Sequence, residues 1–210
     1  MSKIEEIAQA VETGKLKLIV GLTEEALAEG IDPLKILNEG MVGAMEVVGG
    51  KFQRSEIFVP EMLVAAKTMK KGVEILKPCL AAGASTSLGK CIIGTVYGDL
   101  HDIGKNLVAM MIESAGFEMI DLGVDVPVAN FIDTIKANPG TKLVALSCLL
   151  TTTMPAMKET AEAIKGSGIS GFKVIVGGAP INKEFADQIG ADGYSEDAAG
   201  AAILAKKMVS

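Results

Sequence analysis

One short segment holds the residue types that could ligate a metal. Asp99-Leu100-His101-Asp102-Ile103-Gly104 contains the only histidine of the chain. A neutral imidazole is a good ligand for a borderline transition metal, and its second ring nitrogen needs an acceptor that orients it. The carboxylate of Asp99, two residues earlier, can be that acceptor. Such a histidine–carboxylate pair can bind a metal through the other ring nitrogen, although a single histidine in a loop is usually not a metal ligand and this segment alone is a weak signal.

The elements around this segment alternate between strands and helices from Lys90 onward. Each of the apolar runs KCIIGTV, FEMIDLG, KLVALSCLL and FKVIVGG is followed by a helical pattern, and a short strand near residues 192–194 precedes a final helix. Repeated strand–helix units imply a parallel sheet that is covered on both faces. We expect a doubly wound, flavodoxin-like (Rossmann-type) domain with five parallel strands over residues 89–210.

The preceding residues, 1–88, read as helices only. Apolar residues recur three and four positions apart, and breaks fall at residues 13–14, 30–33 and 54–60. Asp32 before Pro33 is typical of a helix N-cap with proline at the first helical position. These patterns predict an all-α four-helix bundle. The small, Gly-rich residues 81–89 are predicted to link the two domains.

Polar and glycine residues follow three of the predicted strands at one edge of the sheet. The histidine segment follows the first strand, Ser147-Cys148-Leu149 and Thr151 to Thr153 follow the third, and Gly177-Gly178-Ala179 follow the fourth. Ligands of such folds bind at the carboxyl ends of the strands. We therefore expect Ser147 to hydrogen-bond Asp99 and to complete a relay through Asp99 to His101. Cys148 reads as a buried small hydrophobe, and Lys105 reads as part of a solvated helix face.

The order D-x-H-x-x-G, S-x-L and G-G resembles the fingerprint of cobalamin-binding domains of the methionine-synthase type. The segment GMVGAMEVVGGKFQRSEIFVPEMLVAAKTMKKGVEIL in the helical half is similar to the cap that precedes such a domain. The resemblance covers nearly the whole chain. In size and layout the chain is most similar to the corrinoid proteins of anaerobic methyltransferase systems, which are methyl carriers in one-carbon metabolism.

The resemblance implies a cofactor and a set of residues that bind it. The cofactor would be cobalamin in the base-off/His-on form, with His101 as the lower ligand of cobalt and with Asp99 and Ser147 tuning it. The freed nucleotide tail would enter the domain beside Gly177 and Gly178, where backbone without Cβ atoms leaves room. The cofactor-binding residues implied in this domain are Asp99, His101, Asp102, Ile103, Gly104, Ser147, Leu149, Thr151, Thr152, Thr153, Gly177, Gly178 and Ala179.

The cap contributes a further group of predicted cofactor contacts. By the same resemblance, Phe52, Val59 and Met62 would cover the reactive upper face of the corrin, although these side chains could instead be core of the bundle. A dry apolar cover would keep oxidants and water from cobalt. A partner must reach the same face, so the cap is expected to move about the linker at residues 81–89.

Composition excludes several other classes of protein. The net charge is −6, aromatic residues make up 4% of the chain, and we find no basic patch, so nucleic acid is not an expected partner. No apolar run approaches the roughly 18 residues of a membrane span, and the start lacks a signal peptide. The three cysteines have no CxxC spacing, so neither a disulfide framework nor a zinc site is indicated. We expect a cytoplasmic protein with no membrane association.

The implied function is carriage of a methyl group on cobalt, without catalysis by the chain itself. The implied partners are a donor-specific corrinoid methyltransferase, a second methyltransferase that passes the methyl group to tetrahydrofolate or coenzyme M, and an ATP-dependent reductive activase. The methyl donor stays open among methoxyaromatics, methylamines, betaines and methanol. The alternatives are a cobalamin-dependent sensor, an adenosylcobalamin mutase subunit and a plain flavodoxin-like signalling domain.

Overall fold

Helices alone form the first of two units in the computed structural model, which describes residues 2–80 and 87–209. This unit, Met1–Thr86, contains α1 (Lys3–Glu12), α2 (Leu16–Ala28), α3 (Pro33–Lys35), a π-helical segment (Ile36–Val42), α4 (Gly43–Gln53) and α5 (Val59–Leu80). The α3, π-helical and α4 segments follow one another without a break. The unit therefore has four helical rods in its described part.

Local side-chain chemistry sets where these helices begin. Ser2 and Glu5 form a reciprocal capping box at the start of α1, and the Asp32 carboxylate accepts the Leu34 N–H just after the loop at residues 29–32. The faces predicted from the periodicity are buried in large part. The buried members are Ile7, Val11, Ile19, Met41, Met45, Val48, Met62, Ala65, Ala66, Met69 and Leu76.

The second unit, Ser87–Ser210, alternates strands and helices. Its elements are β1 (Lys90–Thr95), α6 (Ile103–Ser114), β2 (Glu118–Asp121), α7 (Val128–Ala137), β3 (Thr141–Ser147), a 3₁₀ turn (Thr151–Thr153), α8 (Met154–Gly166), β4 (Lys173–Gly177), α9 (Lys183–Gln188), β5 (Gly193–Tyr194) and α10 (Ala198–Val209). The five strands lie in the order β2-β1-β3-β4-β5, and all pair in parallel.

Helices cover both faces of this sheet. One apolar cluster joins the sheet to α7, α8 and α9 and includes Phe131, Ile135, Met157, Ala161 and Ala186; a second joins the other face to α6 and α10 and includes Ile112 and Ala205. Because both faces are buried, the strands read as continuous apolar runs. The predicted fold class, a helical region followed by a doubly wound sheet of five parallel strands, is confirmed.

Strand register aligns the polar segments that follow the strands. Thr95 at the end of β1 pairs with Ser147 at the end of β3, and Ser147 pairs with Gly177 at the end of β4. The three segments singled out by the sequence therefore leave the sheet from one row at its carboxyl edge.

The predicted linker lies largely outside the described residues, since 81–86 are not among them. Its described end is already bonded to the sheet unit: the Leu88 N–H donates to the Gly116 carbonyl at 3.0 Å, and the Gly89 carbonyl accepts the Glu118 N–H at 3.0 Å. None of the helices over residues 2–80 and 87–209 combines the length and the apolar character that crossing a bilayer requires.

Candidate cofactor-binding site

The loop between β1 and α6 carries the histidine at the sheet edge. His101 accepts a hydrogen bond from the buried Thr95 hydroxyl on its carbonyl oxygen at 2.8 Å, and its own N–H donates to Asp99 Oδ1 at 3.1 Å. Its ring Nδ1 lies 2.7 Å from the same Oδ1. Both the backbone and the ring of His101 are thus held, and Thr95 is a contributor that the sequence patterns did not point to.

Asp99 is the most completely hydrogen-bonded side chain of the site. Its carboxylate is buried, Oδ1 accepts both His101 bonds, and Oδ2 accepts the Leu149 N–H at 2.7 Å and the Thr153 hydroxyl at 2.8 Å. Burial alone would raise the pKa of Asp99, but the bonds from Leu149, His101 and Thr153 outweigh burial and hold this pKa well below its ordinary value. Asp99 is therefore ionised, and an ionised carboxylate only accepts, so the His101 proton sits on Nδ1.

The hydroxyl that reaches Asp99 is that of Thr153, where we had expected Ser147. Within residues 2–80 and 87–209, no hydrogen bond joins Ser147 Oγ to Asp99; Ser147 contributes its carbonyl, which accepts the Val96 N–H at 3.0 Å. Ser147 is the last residue of β3 and is half-buried. The 3₁₀ turn Thr151–Thr153 folds back, and this brings Thr153 under the carboxylate while Thr151 and Thr152 stay exposed.

The free side of the His101 ring faces outward. The side chain is 49% exposed, and Nε2 has no hydrogen-bond partner among the described residues. Large apolar side chains of the same loops are also exposed, namely Tyr97, Leu100, Ile103, Leu149 and Leu150. An available imidazole nitrogen among exposed apolar side chains fits a large, mostly apolar ligand that carries a metal.

Gly178 is a glycine because of the backbone around it. A Cβ at this position would collide with the Cys148 carbonyl oxygen, and the backbone has φ +133°, which side chains rarely adopt. The Cys148 N–H donates to the Gly177 carbonyl at 3.3 Å, so the chain just after β3 lies against the end of β4. The pair was predicted to make room for a nucleotide tail; at Gly178 the close approach of the chain's own backbone already requires glycine.

Two neighbours of His101 in α6 differ in their roles. Asp102 occupies the N-cap position, and its carboxylate accepts from the Asn106 side chain at 3.1 Å. Lys105, expected on a solvated face, is instead buried, with its Nζ 2.7 Å from Asp121 Oδ1 and 2.8 Å from Asn106 Oδ1. The solvated-face interpretation was wrong because Asp121, at the end of β2, supplies a charge that lets a lysine be buried.

The remaining predicted residues take different environments. Ile103, Gly104 and Ala179 are exposed at the starts of the loops and helices that follow the strands. In the helical unit, Phe52 is half-buried near the end of α4, Val59 is exposed at the start of α5, and Met62 is fully buried. Their role as a cover for the cofactor stays a prediction.

The fold and the site define a class: a helical unit joined to a doubly wound domain that presents a carboxylate-held histidine at its ligand edge. Comparison with known proteins agrees with this class. Residues 89–203 match the B12 binding domain family, and residues 3–77 match a second family that is also described as a B12 binding domain.

Individual proteins match this chain over nearly its full length. The dimethylamine corrinoid protein 1 of Methanosarcina acetivorans is 41% identical over 99% of this chain and 97% of its own length. A cobalamin-binding protein of Desulfitobacterium hafniense superposes with a TM-score of 0.83 at 32% identity, covering 99% of this chain and 98% of that chain. The methanol:cobalamin methyltransferase complex MtaBC of Methanosarcina barkeri contains a chain that superposes with a TM-score of 0.85 at 30% identity. The match covers 99% of this chain and 79% of that chain. The protein belongs to the family of B12-binding corrinoid proteins.

Proposed function

We propose that this chain binds one cobalamin in the base-off form, with His101 Nε2 as axial ligand to cobalt, and that it carries methyl groups between partner enzymes. The observation that carries the proposal is the state of the imidazole. Nδ1 is tied to the buried Asp99 at 2.7 Å, while Nε2 is unpartnered within the described residues on a half-exposed ring. This arrangement leaves one nitrogen ready to coordinate and keeps its orientation fixed.

The residues that would hold the cofactor lie in the segments that follow the strands at the carboxyl edge of the sheet. Exposed Leu100 and Ile103 offer apolar surface beside His101, and the exposed Thr151 and Thr152 offer hydroxyls for a polar tail. With Asp102, Gly104, Ser147, Leu149, Gly177, Gly178 and Ala179 they form the proposed binding set in the sheet unit. When bound, the corrinoid supplies a cobalt centre that accepts and donates a methyl group.

The chain's own contribution is control of the imidazole and its proton. Asp99, kept ionised, retains the proton on Nδ1 while Nε2 is a ligand. Thr153 and the Leu149 N–H hold that carboxylate in place. The orientation and the tautomer of the ligand are thus set by residues from two strand ends.

We propose that the methyl donor and acceptor are handled by partner proteins. Support comes from the structural relative MtaBC, which is named as a methyltransferase complex, and from the two B12 binding matches, which together extend over most of this chain. The partners would be a donor-specific corrinoid methyltransferase, a methyltransferase to tetrahydrofolate or coenzyme M, and an ATP-dependent reductive activase. The names of the dimethylamine and methanol relatives support a small methylated compound as the donor in this proposal.

The axial ligand is tested by reconstitution with hydroxocobalamin. Wild type and His101→Ala are loaded, reduced to Co(II) and compared by absorbance and electron paramagnetic resonance. Because His101 is the only histidine in the chain, nitrogen superhyperfine splitting from the protein is expected in wild type and absent in the variant. Splitting from a protein nitrogen that survives in His101→Ala contradicts the proposal.

The carrier role is tested with the loaded protein alone. Reduced to Co(I), it is incubated with methylamines, methanol, betaines and methoxyaromatics, without partner enzymes. We expect no saturable methylation of cobalt by any of them, and rapid methylation once a cognate methyltransferase is added. Saturable methylation by the chain alone contradicts the carrier proposal and leaves the assignment of His101 intact.

A further inference from the structure

A loop that the motifs did not include lies against the histidine loop. Asp125, between β2 and α7, accepts the Gly98 N–H on its Oδ1 at 2.7 Å and donates its own N–H to the Asp99 carbonyl at 2.9 Å. We propose that Asp125 is a positioning residue, which holds the two residues before Leu100 so that Asp99 can orient His101 toward the cofactor. The inference rests on the proposed function, since it concerns the same cobalt ligand.

The backbone of Asp125 adopts a conformation that few residues tolerate. Its φ is +53°, and among the described residues only Ser55 shares a positive φ without being glycine. Aspartate and asparagine enter this left-handed region more readily than other side chains that are not glycine. In this conformation Asp125 presents both its carboxylate and its N–H to one short segment. A non-glycine residue kept in such a conformation beside a site points to a role in that site.

The loop that carries Asp125 is itself anchored at both ends. At the first end, the Asp121 carboxylate pairs with the buried Lys105 ammonium at 2.7 Å. At the other end, the Val126 N–H donates to the Thr95 carbonyl at 3.0 Å, and Thr95 in turn donates its hydroxyl to His101. The loop that carries Asp125 is therefore held at both ends, and the two hydrogen bonds of Asp125 fix the histidine loop relative to the sheet.

Substitutions can separate two properties of Asp125, the charge of its carboxylate and its acceptor oxygen. Asp125→Asn keeps an acceptor oxygen and tolerates the left-handed backbone, while it removes the charge. Asp125→Gly tolerates the backbone better and removes the acceptor. Asp133→Asn, on the exposed surface of α7, is the matched control for loss of one carboxylate.

Two kinds of measurement test the proposal, one of them without cofactor. Amide hydrogen exchange at Gly98, followed by NMR in the ligand-free protein, reports the hydrogen bond itself. Hydroxocobalamin affinity and the nitrogen splitting of the Co(II) form report the position of His101. We expect Asp125→Asn and Asp133→Asn to stay within about twofold of wild type. Asp125→Gly is expected to speed Gly98 exchange and to weaken hydroxocobalamin binding by about tenfold each, the lower end of effects seen for groups that orient metal ligands.

The outcomes discriminate among the alternatives. Wild-type behaviour of Asp125→Gly in both measurements overturns the proposal, because the acceptor then has no role. Weak binding by Asp125→Asn with unchanged Gly98 exchange also overturns it, because the carboxylate would then act through its charge on the ligand. If wild type itself shows no nitrogen splitting, the proposed function fails, and the exchange data still decide whether Asp125 holds the loop.

Discussion

Asp99 holds His101 through one oxygen atom: Oδ1 accepts the backbone N–H of His101 at 3.1 Å and its ring Nδ1 at 2.7 Å. The other oxygen, Oδ2, accepts hydrogen bonds from the segment after β3, namely from the Leu149 N–H and the Thr153 hydroxyl. One buried carboxylate therefore ties two strand ends together and leaves Nε2 of the imidazole available.

The first prediction concerns the tautomer of His101. Because an ionised Asp99 only accepts, the neutral ring should carry its proton on Nδ1. The chain has a single histidine, so ¹⁵N NMR of the ligand-free protein above neutral pH reports this ring alone. We expect a protonated Nδ1 and an unprotonated Nε2 in wild type, and loss of this bias in Asp99→Ala. A ring protonated mainly on Nε2 contradicts the assigned geometry.

The second prediction separates the two hydroxyls near Asp99. Thr153→Ala removes a donor to a buried carboxylate and should lower the free energy of unfolding by about 1–3 kcal/mol, whereas Thr153→Ser should restore most of it. Ser147→Ala, which removes a hydroxyl without a bond to Asp99, should cost less than about 0.5 kcal/mol. Urea unfolding of the ligand-free proteins measures all three. If Ser147→Ala lowers the free energy of unfolding more than Thr153→Ala does, Ser147 and not Thr153 is the hydroxyl that matters to Asp99.

The third prediction follows from the lowered pKa of Asp99. Its hydrogen bonds from Leu149, His101 and Thr153 prevail over burial, so its folded pKa lies below the unfolded one. The stability that these bonds contribute is therefore fully present above about pH 4, the unfolded value, and is lost as pH falls toward the folded pKa. Asp99→Asn cannot titrate at this position and should be about 2 kcal/mol less stable at pH 7.

The measurement is urea unfolding, followed by circular dichroism at pH 7, 5, 4 and 3. The difference in stability between wild type and Asp99→Asn should narrow as pH falls below about 4. Asp133→Asn, on the exposed surface of α7, controls for the loss of one carboxylate. A difference that widens as pH falls from 4 to 3 contradicts the expected sign.

The fourth prediction concerns the glycine pair after β4. In Gly178→Ala the new methyl group would meet the Cys148 carbonyl oxygen at a backbone φ of +133°. We expect a loss of stability above about 3 kcal/mol or no folded protein at all. Gly166→Ala is the control, because nothing lies within 4 Å of a Cβ there, in helix α8. Soluble yield and Tm compare the two; equal behaviour would show that the loops near Cys148 can move apart.

Much of this architecture follows from local patterns in the chain. Apolar spacing of three and four residues places the helices of residues 2–80, since only that spacing puts Ile7 and Val11, or Met41 and Met45, on one face. The apolar runs from Lys90 onward indicate parallel strands buried on both faces. Because parallel strands end at one edge, the order of the motifs along the chain also placed His101, Ser147 and Gly177 on the same side.

The partners of those residues were decided by tertiary structure. Ser147 and Thr153 are both hydroxyls shortly after β3, and only the 3₁₀ turn brings Thr153 to Asp99. Lys105 has the spacing of an exposed helix residue, and it is buried because Asp121 of another element neutralises it. Sequence periodicity reports which face of an element is apolar, because that property is local. Hydrogen bonds and ion pairs between loops depend on atoms placed within about 3 Å by segments far apart in the chain, and only the folded structure sets those distances.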